Sequence, residues 1–330
     1  MGTRQPIRPS LLFVPALEDR FWLKLRELTP RVGGFIIDLE DSIHPSAKDK
    51  AREKVLTERA TLKALREDDP NIQVLVRVNN AKSEYYSQDV EMLKELLEES
   101  LITGVMYPKP DEPGEIDELW NVVNLKGKHA FIFPVIETLA GYTSYDKILS
   151  PERGVQWTAV GAEDICADMG MERPIIFYDN PILSRIATDI AIFARRTGIK
   201  LWGNIWPYLP WAELLPFFVE EILKDYMIGA IGKVVFHPYQ IDIVNGIFSP
   251  HIRHEMNKRT MIGRLSAIAK RSREEGLTVA LFNGRMVDMP ELVRLQRWLR
   301  EISDSETGKD IMEKIPEELR RLFECAKEGA

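Results

Sequence analysis

The chain has 330 residues, enough for one large α/β domain with an extension, and 45% are hydrophobic and 29% charged, as in a folded globular enzyme. A net charge of −7, with no basic stripe, indicates that nucleic acid is not a partner. Neither Cys166 nor Cys325 has a CxxC or His-flanked spacing, so zinc and disulfide frameworks are not expected.

Eight short apolar runs predict strands, with helical periodicity between them that is clearest at Val90–Leu97, Pro181–Arg195 and Ala212–Tyr226. The predicted strands are Ser10–Val14, Gly34–Leu39, Ile72–Val78, Gly104–Tyr107, Ala130–Val135, Trp157–Val160, Ile199–Trp202 and Lys233–Phe236. Alternating strands and helices predict a parallel (β/α)₈ TIM barrel over residues 1–248. A doubly wound open sheet is the alternative, but Pro15 and Ala16 follow the first strand where such folds often have a Gly-rich phosphate turn.

Residues 249–330 are predicted to form a C-terminal extension with a helical lid. Its predicted pieces are helical patterning at Pro250–Glu275, a strand-like run at Leu277–Phe282, a turn at Asn283-Gly284, and helices at Pro290–Ile302 and Pro316–Lys327. The Pro- and Trp-rich segment Asn204–Pro216 is predicted to be an elaborated loop after the seventh strand. No run approaches the roughly 18 apolar residues of a membrane span, and no leader pattern opens the chain, so we expect a cytoplasmic protein without membrane contact.

Polar residues follow several strands at their carboxyl ends, where TIM barrels place their chemistry. They are Asp38, Glu40 and Asp41 after the second strand, Arg77 and Asn79 after the third, Lys109 after the fourth, Glu137 after the fifth, Glu163 and Asp164 after the sixth, and His237 after the eighth. Glu137 and Asp164 are 27 residues apart, about one βα unit, so they should stand on neighbouring strands. Two carboxylates without nearby His or Cys predict a Mg²⁺ site. Arg77 offers a planar fork for a substrate carboxylate.

Structural interpretations of the same residues remain open from the sequence. Asp164 could cap a helix at Ile165–Met169, Glu137 could be a first-turn acid, and Arg77 could pair with the Asp38–Asp41 cluster. His237 is predicted to be structural, because an imidazole before a helix-starting Pro can bond to the backbone. Trp202, Trp206 and Trp211 are predicted to pack the loop after the seventh strand.

Several motifs between residue 8 and about residue 290 occur in the same order as in a known protein family. They are Arg8-Pro-Ser-Leu-Leu-Phe-Val-Pro15, Ile37-Asp-Leu-Glu-Asp-Ser42, Lys48-Asp-Lys-Ala-Arg52, Val76-Arg-Val-Asn79, Tyr107-Pro-Lys109, Val135-Ile-Glu-Thr138, Val160-Gly-Ala-Glu-Asp164, Gly232-Lys-Val-Val-Phe-His-Pro-Tyr-Gln-Ile241 and Gly284-Arg-Met-Val-Asp-Met-Pro290. In this combination the chain resembles the citrate lyase β-subunit-like proteins of the HpcH/HpaI aldolase superfamily, which includes malyl-CoA and citramalyl-CoA lyases.

The resemblance implies a Mg²⁺-dependent carbon–carbon lyase that acts on a 3-hydroxyacyl-CoA and binds a 2-oxo acid at the metal. It implies Glu137 and Asp164 as metal ligands, and Arg77 as a catalytic residue that grips the oxo-acid carboxylate. Asp288 would be the acid/base, brought by the lid into a neighbouring subunit of a trimer or hexamer. The remaining predicted substrate-binding residues are Glu40, Asp41 and Lys109.

The chain departs from the family pattern near the rim of the barrel. Ala16 stands where the family usually has Gly, Trp202-Gly203 replaces an acid-containing pair, and the loop Asn204–Pro216 looks rebuilt. The CoA partner is therefore open. One alternative is an aldolase that acts on free hydroxy-oxo acids, and another is a β subunit that works only inside a citrate lyase complex.

Overall fold

The computed structural model describes residues 8–124, 130–209 and 213–248, and beyond them residues 267, 270–271, 274–275, 279–282 and 285–288. It divides into two compact units, Arg4–Phe248 and Ser249–Ala330, the second also taking in Met1–Thr3. Each unit is treated by itself below.

The first unit contains the eight predicted strands. They are β1 Ser10–Pro15, β2 Gly34–Asp38, β3 Gln73–Arg77, β4 Gly104–Tyr107, β5 Phe131–Ile136, β6 Trp157–Val160, β7 Lys200–Trp202 and β8 Lys233–Val235. No strand end differs from its predicted position by more than one residue. Buried runs bounded by turns are therefore enough to locate the strands of this unit.

All neighbouring strands are parallel and follow each other in chain order, and β8 returns to pair with β1. A bridge between Gly203 and Lys233 joins β7 to β8, with Gly203 N donating to Gly232 O at 2.8 Å. The sheet is thus closed, and the predicted TIM barrel is confirmed over the open-sheet alternative. In a closed barrel of this order, the carboxyl ends of all eight strands form one rim.

Helices connect the strands. They are α1 Asp19–Trp22, α2 Leu25–Leu28, α3 Lys48–Thr57, α4 Arg59–Asp68, α5 Tyr86–Glu98, α6 Pro113–Val123, α7 Leu139–Thr143, α8 Tyr145–Ile148, α9 Ala162–Asp168, α10 Pro181–Thr197, α11 Leu215–Ile228 and α12 Pro238–Phe248. The helix predicted from Ala212 begins instead at Leu215, with Pro216 in its first turn. Proline has no N–H to donate and is tolerated at a helix start, so it marks this end.

Two apolar layers lie on the two faces of the closed sheet. The outer layer packs the strands against the helices. The inner layer fills the barrel and is rich in aromatic residues, with the Trp157 ring 4.5 Å from Phe131 and 5.0 Å from Trp202 between centroids. The interior of the barrel is therefore a packed core, as expected of this fold. None of the helices described is both long and apolar enough to cross a membrane.

In the second unit, β9 (Ala280–Phe282) pairs antiparallel with β10 (Arg285–Val287). The strand-like run predicted at Leu277–Phe282 is thus confirmed in its last three residues. Asp288 follows β10 and is half-buried. The turn predicted at Asn283-Gly284 and the helices predicted at Pro290–Ile302 and Pro316–Lys327 lie outside the described residues, as does most of Pro250–Glu275.

Candidate active site at the carboxyl rim of the barrel

An ion-pair cluster joins the ends of β2 and β3. Asp38 and Arg77 are paired in register as the last residues of the two strands. The Nε and Nη2 edge of Arg77 donates to both oxygens of Asp38, at 2.6 and 2.7 Å, and Nη1 lies 2.9 Å from Glu40 Oε2. Asp38 also accepts from the backbone N–H groups of Glu40 and Ser42, which shapes the turn after β2. The structural pairing that was left open for Arg77 is confirmed.

This pairing limits how Arg77 can bind a substrate. The fork that we expected to face a substrate carboxylate is occupied by Asp38, so only the remaining N–H groups of Nη1 and Nη2 are available. The acids Asp38, Glu40 and Glu137 raise the pKa of Arg77 although burial alone would lower it. The guanidinium is therefore permanently charged and rigidly held. A role in gripping a carboxylate stays a prediction, restricted to this outer edge.

Lys109 links the acids of three strand ends. Its Nζ lies 2.6 Å from Glu40 Oε1, 3.1 Å from Asp41 Oδ2 and 3.4 Å from Asp164 Oδ1. Its backbone has a φ of 49°, a conformation that costs a non-glycine residue roughly 1–2 kcal/mol. The strain is offset locally, because in this conformation the Lys109 N–H donates to Glu137 Oε1 at 2.9 Å. Lys109 thus positions the acids, and any substrate contact remains a prediction.

Glu137 is the buried member of the predicted metal pair, with 4% of its surface exposed. A Cβ at Gly161 would lie 2.1 Å from Glu137 Oε2, so only glycine leaves room for this carboxylate at the end of β6. Burial, and then the charge of Asp164, raise the pKa of Glu137 to about 8 despite the nearby Lys109 and Arg77. The effect of burial therefore outweighs the attraction of the two cations.

The interpretation of Asp164 as a helix cap and that of Glu137 as a first-turn acid are both wrong. Asp164 lies in the first turn of α9, whose N-cap is Gly161. Glu137 precedes Thr138, the residue that caps α7 by accepting a bond from the Gly141 N–H. Neither acid is needed to start a helix.

A cavity of about 190 Å³ opens at this rim. Four of the predicted site residues line it: Asp41, Arg77, Glu137 and Asp164. Glu40 and Lys109 do not line the cavity; Lys109 contacts Glu40 and the lining residue Asp164. Its other lining residues are mostly apolar: Phe13, Met106, Val135, Ala159, Val160, Gly161, Ala162, Glu163, Gly203, Asn204, Ile205 and Val234. Asp288 belongs to the second unit, so its predicted role in catalysis stays a prediction.

The donor set fits a hard cation with few protein ligands. Glu137 and Asp164 supply carboxylate oxygens, and within the described ranges no group of three or more His, Cys, Asp or Glu side chains is arranged to hold a metal. Mg²⁺ suits such a pair because it commonly binds one or two carboxylates and keeps several waters. The raised pKa of Glu137 points the same way, since a cation would relieve the repulsion between the two acids.

The sequence interpretation missed several residues that shape the rim. The buried Lys48 donates from Nζ to the carbonyls of Leu39 and Glu40, both at 2.7 Å, and to Asn79 Oδ1 at 2.8 Å, which holds the turn after β2. The signal was present, since Lys48 opens one of the quoted motifs. Asn204 and the side chain of Arg173 were also missed, and no local pattern singles them out.

Other residues near the rim are structural, as predicted. His237 Nδ1 accepts from the Tyr239 N–H at 3.2 Å at the start of α12. Trp206 is buried, stacks on Phe218 and donates to Ile175 O at 2.9 Å. Trp202 packs inside the barrel instead of in the loop, and Trp211 lies outside the described residues. Ala16 is buried and is not among the residues that line the cavity.

Known lyases are similar to this chain in sequence. The chain is 27% identical over 295 residues to a citrate lyase subunit beta-like protein of Deinococcus radiodurans, covering 88% of this chain and 95% of the relative. It is 25% identical over 287 residues to an L-malyl-CoA/beta-methylmalyl-CoA lyase of Rhodobacter capsulatus, covering 78% and 83%.

Among solved structures, CitE of Mycobacterium tuberculosis in complex with magnesium, acetoacetate and coenzyme A superposes with a TM-score of 0.65 at 22% identity, covering 88% of this chain and 97% of that one. At this identity the likeness supports the fold alone. The sequence profile of a family described as C-C bond lyase of the TIM-barrel fold matches residues 10–276. The chain therefore belongs to this family of carbon–carbon bond lyases.

Proposed function

We propose that this protein is a Mg²⁺-dependent lyase that cleaves a 3-hydroxyacyl-CoA, such as malyl-CoA or citramalyl-CoA, into a 2-oxo acid and an acyl-CoA. The observation that carries the proposal is the placement of Glu137, directly after β5, and Asp164, in the first turn of α9 after β6, beside the Arg77 guanidinium on one cavity. A relative named as an L-malyl-CoA/beta-methylmalyl-CoA lyase supports the substrate class. The cavity of about 190 Å³ suits the acyl end of such a substrate.

In this proposal Glu137 and Asp164 hold the Mg²⁺. When bound, the ion supplies a Lewis acid for the oxygens of the 2-oxo acid or of its hydroxy precursor. The free N–H groups of Arg77 bind the substrate carboxylate, and Asp38 and Glu40 keep the guanidinium fixed. Such fixed charges lower the barrier because they need no rearrangement during the reaction.

Asp288 is the proposed acid/base. During cleavage the substrate hydroxyl gives its proton to the Asp288 carboxylate, the carbon–carbon bond breaks, and its electron pair moves to the α-carbon of the thioester. Asp288 protonates that carbon, and in the reverse direction it removes the same proton. We propose further that Asp288 acts in a neighbouring subunit of a homotrimer or a dimer of trimers, since it belongs to a unit separate from the barrel.

The direct test is turnover by the purified full-length chain. Malyl-CoA and citramalyl-CoA are supplied with Mg²⁺, after EDTA treatment, and after Mg²⁺ is restored. We expect cleavage that EDTA abolishes and Mg²⁺ restores. Cleavage only of free hydroxy-oxo acids would favour the CoA-independent aldolase, and no turnover without other proteins would favour a subunit of a citrate lyase complex.

A further inference from the structure

A buried amide on the β7 side of the cavity has no part in the proposed metal site. Asn204 exposes 3% of its surface and lines the cavity. It follows Gly203, where a Cβ would lie 2.5 Å from the carboxylate carbon of Asp225. Only glycine lets the chain pass this close, and the next side chain then lies at the cavity wall.

Arg173 determines which way this amide points. Its Nη2 donates to Asn204 Oδ1 at 3.2 Å, and a guanidinium can only donate, so the amide oxygen must face Arg173. Arg173 is held in turn, because Nη2 also contacts both oxygens of Glu221, at 3.0 and 2.9 Å, and Nη1 donates to Pro174 O at 2.8 Å. Among the residues that the structure describes, no acceptor is bonded to Asn204 Nδ2, which leaves this donor for a ligand in the cavity.

The barrel topology places this donor opposite Arg77. Arg77 ends β3 and Asn204 follows β7, four strands away in either direction around the closed barrel. Glu137 after β5 and Asp164 after β6 lie between them. A bound substrate that spans the cavity therefore meets the guanidinium, the two carboxylates and the amide in that order.

A 3-hydroxyacyl-CoA with a terminal carboxylate has three oxygen-bearing groups near its cleaved bond. In the proposed function the carboxylate binds at Arg77 and the hydroxyl lies at the metal pair, which leaves the thioester carbonyl. We infer that Asn204 is a further substrate-binding residue, whose side-chain amide donates a hydrogen bond to the thioester carbonyl oxygen, with Arg173 as its positioning residue. This inference rests on the proposed function.

The bond would strengthen as the reaction proceeds. When the carbon–carbon bond breaks, its electron pair is shared between the α-carbon and the thioester oxygen, so that oxygen gains negative charge before the carbon is protonated. A fixed N–H group that faces it stabilises this charge, as donors in oxyanion holes do. Asn204 is the uncharged donor that the cavity wall offers beside the acids Asp41, Glu137, Glu163 and Asp164.

The test compares Asn204→Asp and Asn204→Ala with the wild type. Asn204→Asp keeps the oxygen that faces Arg173 and removes the N–H donor, and Asn204→Ala removes the donor without adding charge. For the CoA ester that the wild type cleaves, we expect kcat to fall by about 10²–10³-fold in both variants. In Asn204→Ala, which adds no charge, the Kd of pyruvate and of glyoxylate, measured with Mg²⁺ by calorimetry, should change less than about 3-fold, because these acids lack the thioester.

Two further variants separate binding from structure. Asn180→Asp makes the same chemical change at the N-cap of α10, where Oδ1 accepts from Ile182 and Leu183, and it should leave kcat unchanged. Arg173→Gln removes the donor-only neighbour and should lower kcat, whereas Arg173→Lys, which can only donate, should restore part of it.

The outcomes distinguish the inference from the function on which it rests. If the wild type cleaves a CoA ester and both Asn204 variants keep kcat within about 3-fold, Asn204 is not a donor to the substrate and the proposed function stands. If both variants weaken binding of pyruvate or glyoxylate as much as they lower kcat, the amide holds the oxo acid and the thioester assignment is wrong. If the wild type cleaves no CoA ester, the proposed function fails and this inference fails with it.

Discussion

Two ion networks involve different strands of the barrel, and they differ in charge balance and exposure. On the β2–β6 side, five carboxylates (Asp38, Glu40, Asp41, Glu137 and Asp164) are grouped around two cations, Arg77 and Lys109. On the β7–β8 side, Lys233 contacts Asp225 at 2.6 Å and Glu221 at 3.2 Å, and Arg173 also contacts Glu221. The side chains of Lys233, Glu221 and Asp225 are fully buried.

The difference in charge balance suggests that the first network serves binding and the second serves stability. The second network pairs two buried acids with two cations and adds a hydrogen bond from Tyr178 to Asp225, although burial still raises the pKa of Asp225 to about 6. The first network has more acids than cations and opens into the cavity. Within it, burial and then the charge of Asp164 raise the pKa of Glu137 to about 8. An uncompensated charge beside a cavity indicates a binding site, whereas a balanced sealed cluster holds the wall in place.

The largest expected effect is on the first network, which opens into the cavity. Glu137→Gln should abolish measurable Mg²⁺ binding and lower turnover by more than about 10³-fold, because a neutral amide is a poor ligand for Mg²⁺. The free energy of unfolding of the metal-free protein should stay the same or rise, because burial and the charge of Asp164 disfavour an ionised Glu137 and a neutral amide avoids both costs. Calorimetry with Mg²⁺ and urea denaturation measure both, with the exposed Glu220→Gln as control. Retained Mg²⁺ affinity would remove Glu137 from the ligand set.

In the second network, a substitution should lower stability instead of metal binding. Lys233→Met leaves Asp225 and Glu221 without their buried cation and should reduce the free energy of unfolding by about 3–5 kcal/mol. The matched control is Lys224→Met on α11, whose pairs with Asp179 and Glu220 are largely exposed and should contribute less than about 1 kcal/mol. Urea denaturation of both variants measures the two losses in the free energy of unfolding. Equal losses would mean that burial does not distinguish the ion pairs of Lys233 from those of Lys224.

The pH dependence of metal binding follows from the same comparison. Below its pKa of about 8, Glu137 is protonated in the metal-free protein and must lose a proton to bind Mg²⁺. Mg²⁺ affinity should therefore rise with pH, by up to about tenfold per unit, and level off above about pH 8. Calorimetry in two buffers of different ionisation enthalpy would detect the released proton. A flat affinity between pH 6 and 8 would contradict the pKa of Glu137.

The smallest expected signal comes from mixed oligomers. Asp288→Ala should lose turnover and keep oxo-acid binding, and Glu137→Ala should lose metal binding. If Asp288 acts in a neighbouring subunit, an equal mixture should recover about a quarter of wild-type activity, because about that share of sites combines an intact barrel with an intact neighbour. Mass spectrometry of the mixture verifies subunit exchange. Complete exchange without recovered activity would place Asp288 in its own subunit or outside the reaction.

Local patterns in the sequence were enough for the fold and for the position of the rim. Each strand is a short apolar run between helical segments, and closing eight of them in order brings Arg77, Glu137 and Asp164 to the same edge. The bond from the Tyr239 N–H to His237 was predictable for the same reason, because it joins residues two apart at a helix start.

Only the tertiary structure decided what those residues contact. The fork of Arg77 is occupied by Asp38, which comes 39 residues earlier in the chain, and the depth of Glu137 depends on the space left by Gly161. The orientation of the Asn204 amide depends on Arg173, and that of Arg173 on Glu221, 48 residues further along the chain. Burial, pKa and hydrogen-bond direction arise from neighbours distant in the chain, and periodicity in a single sequence carries no information about those pairings.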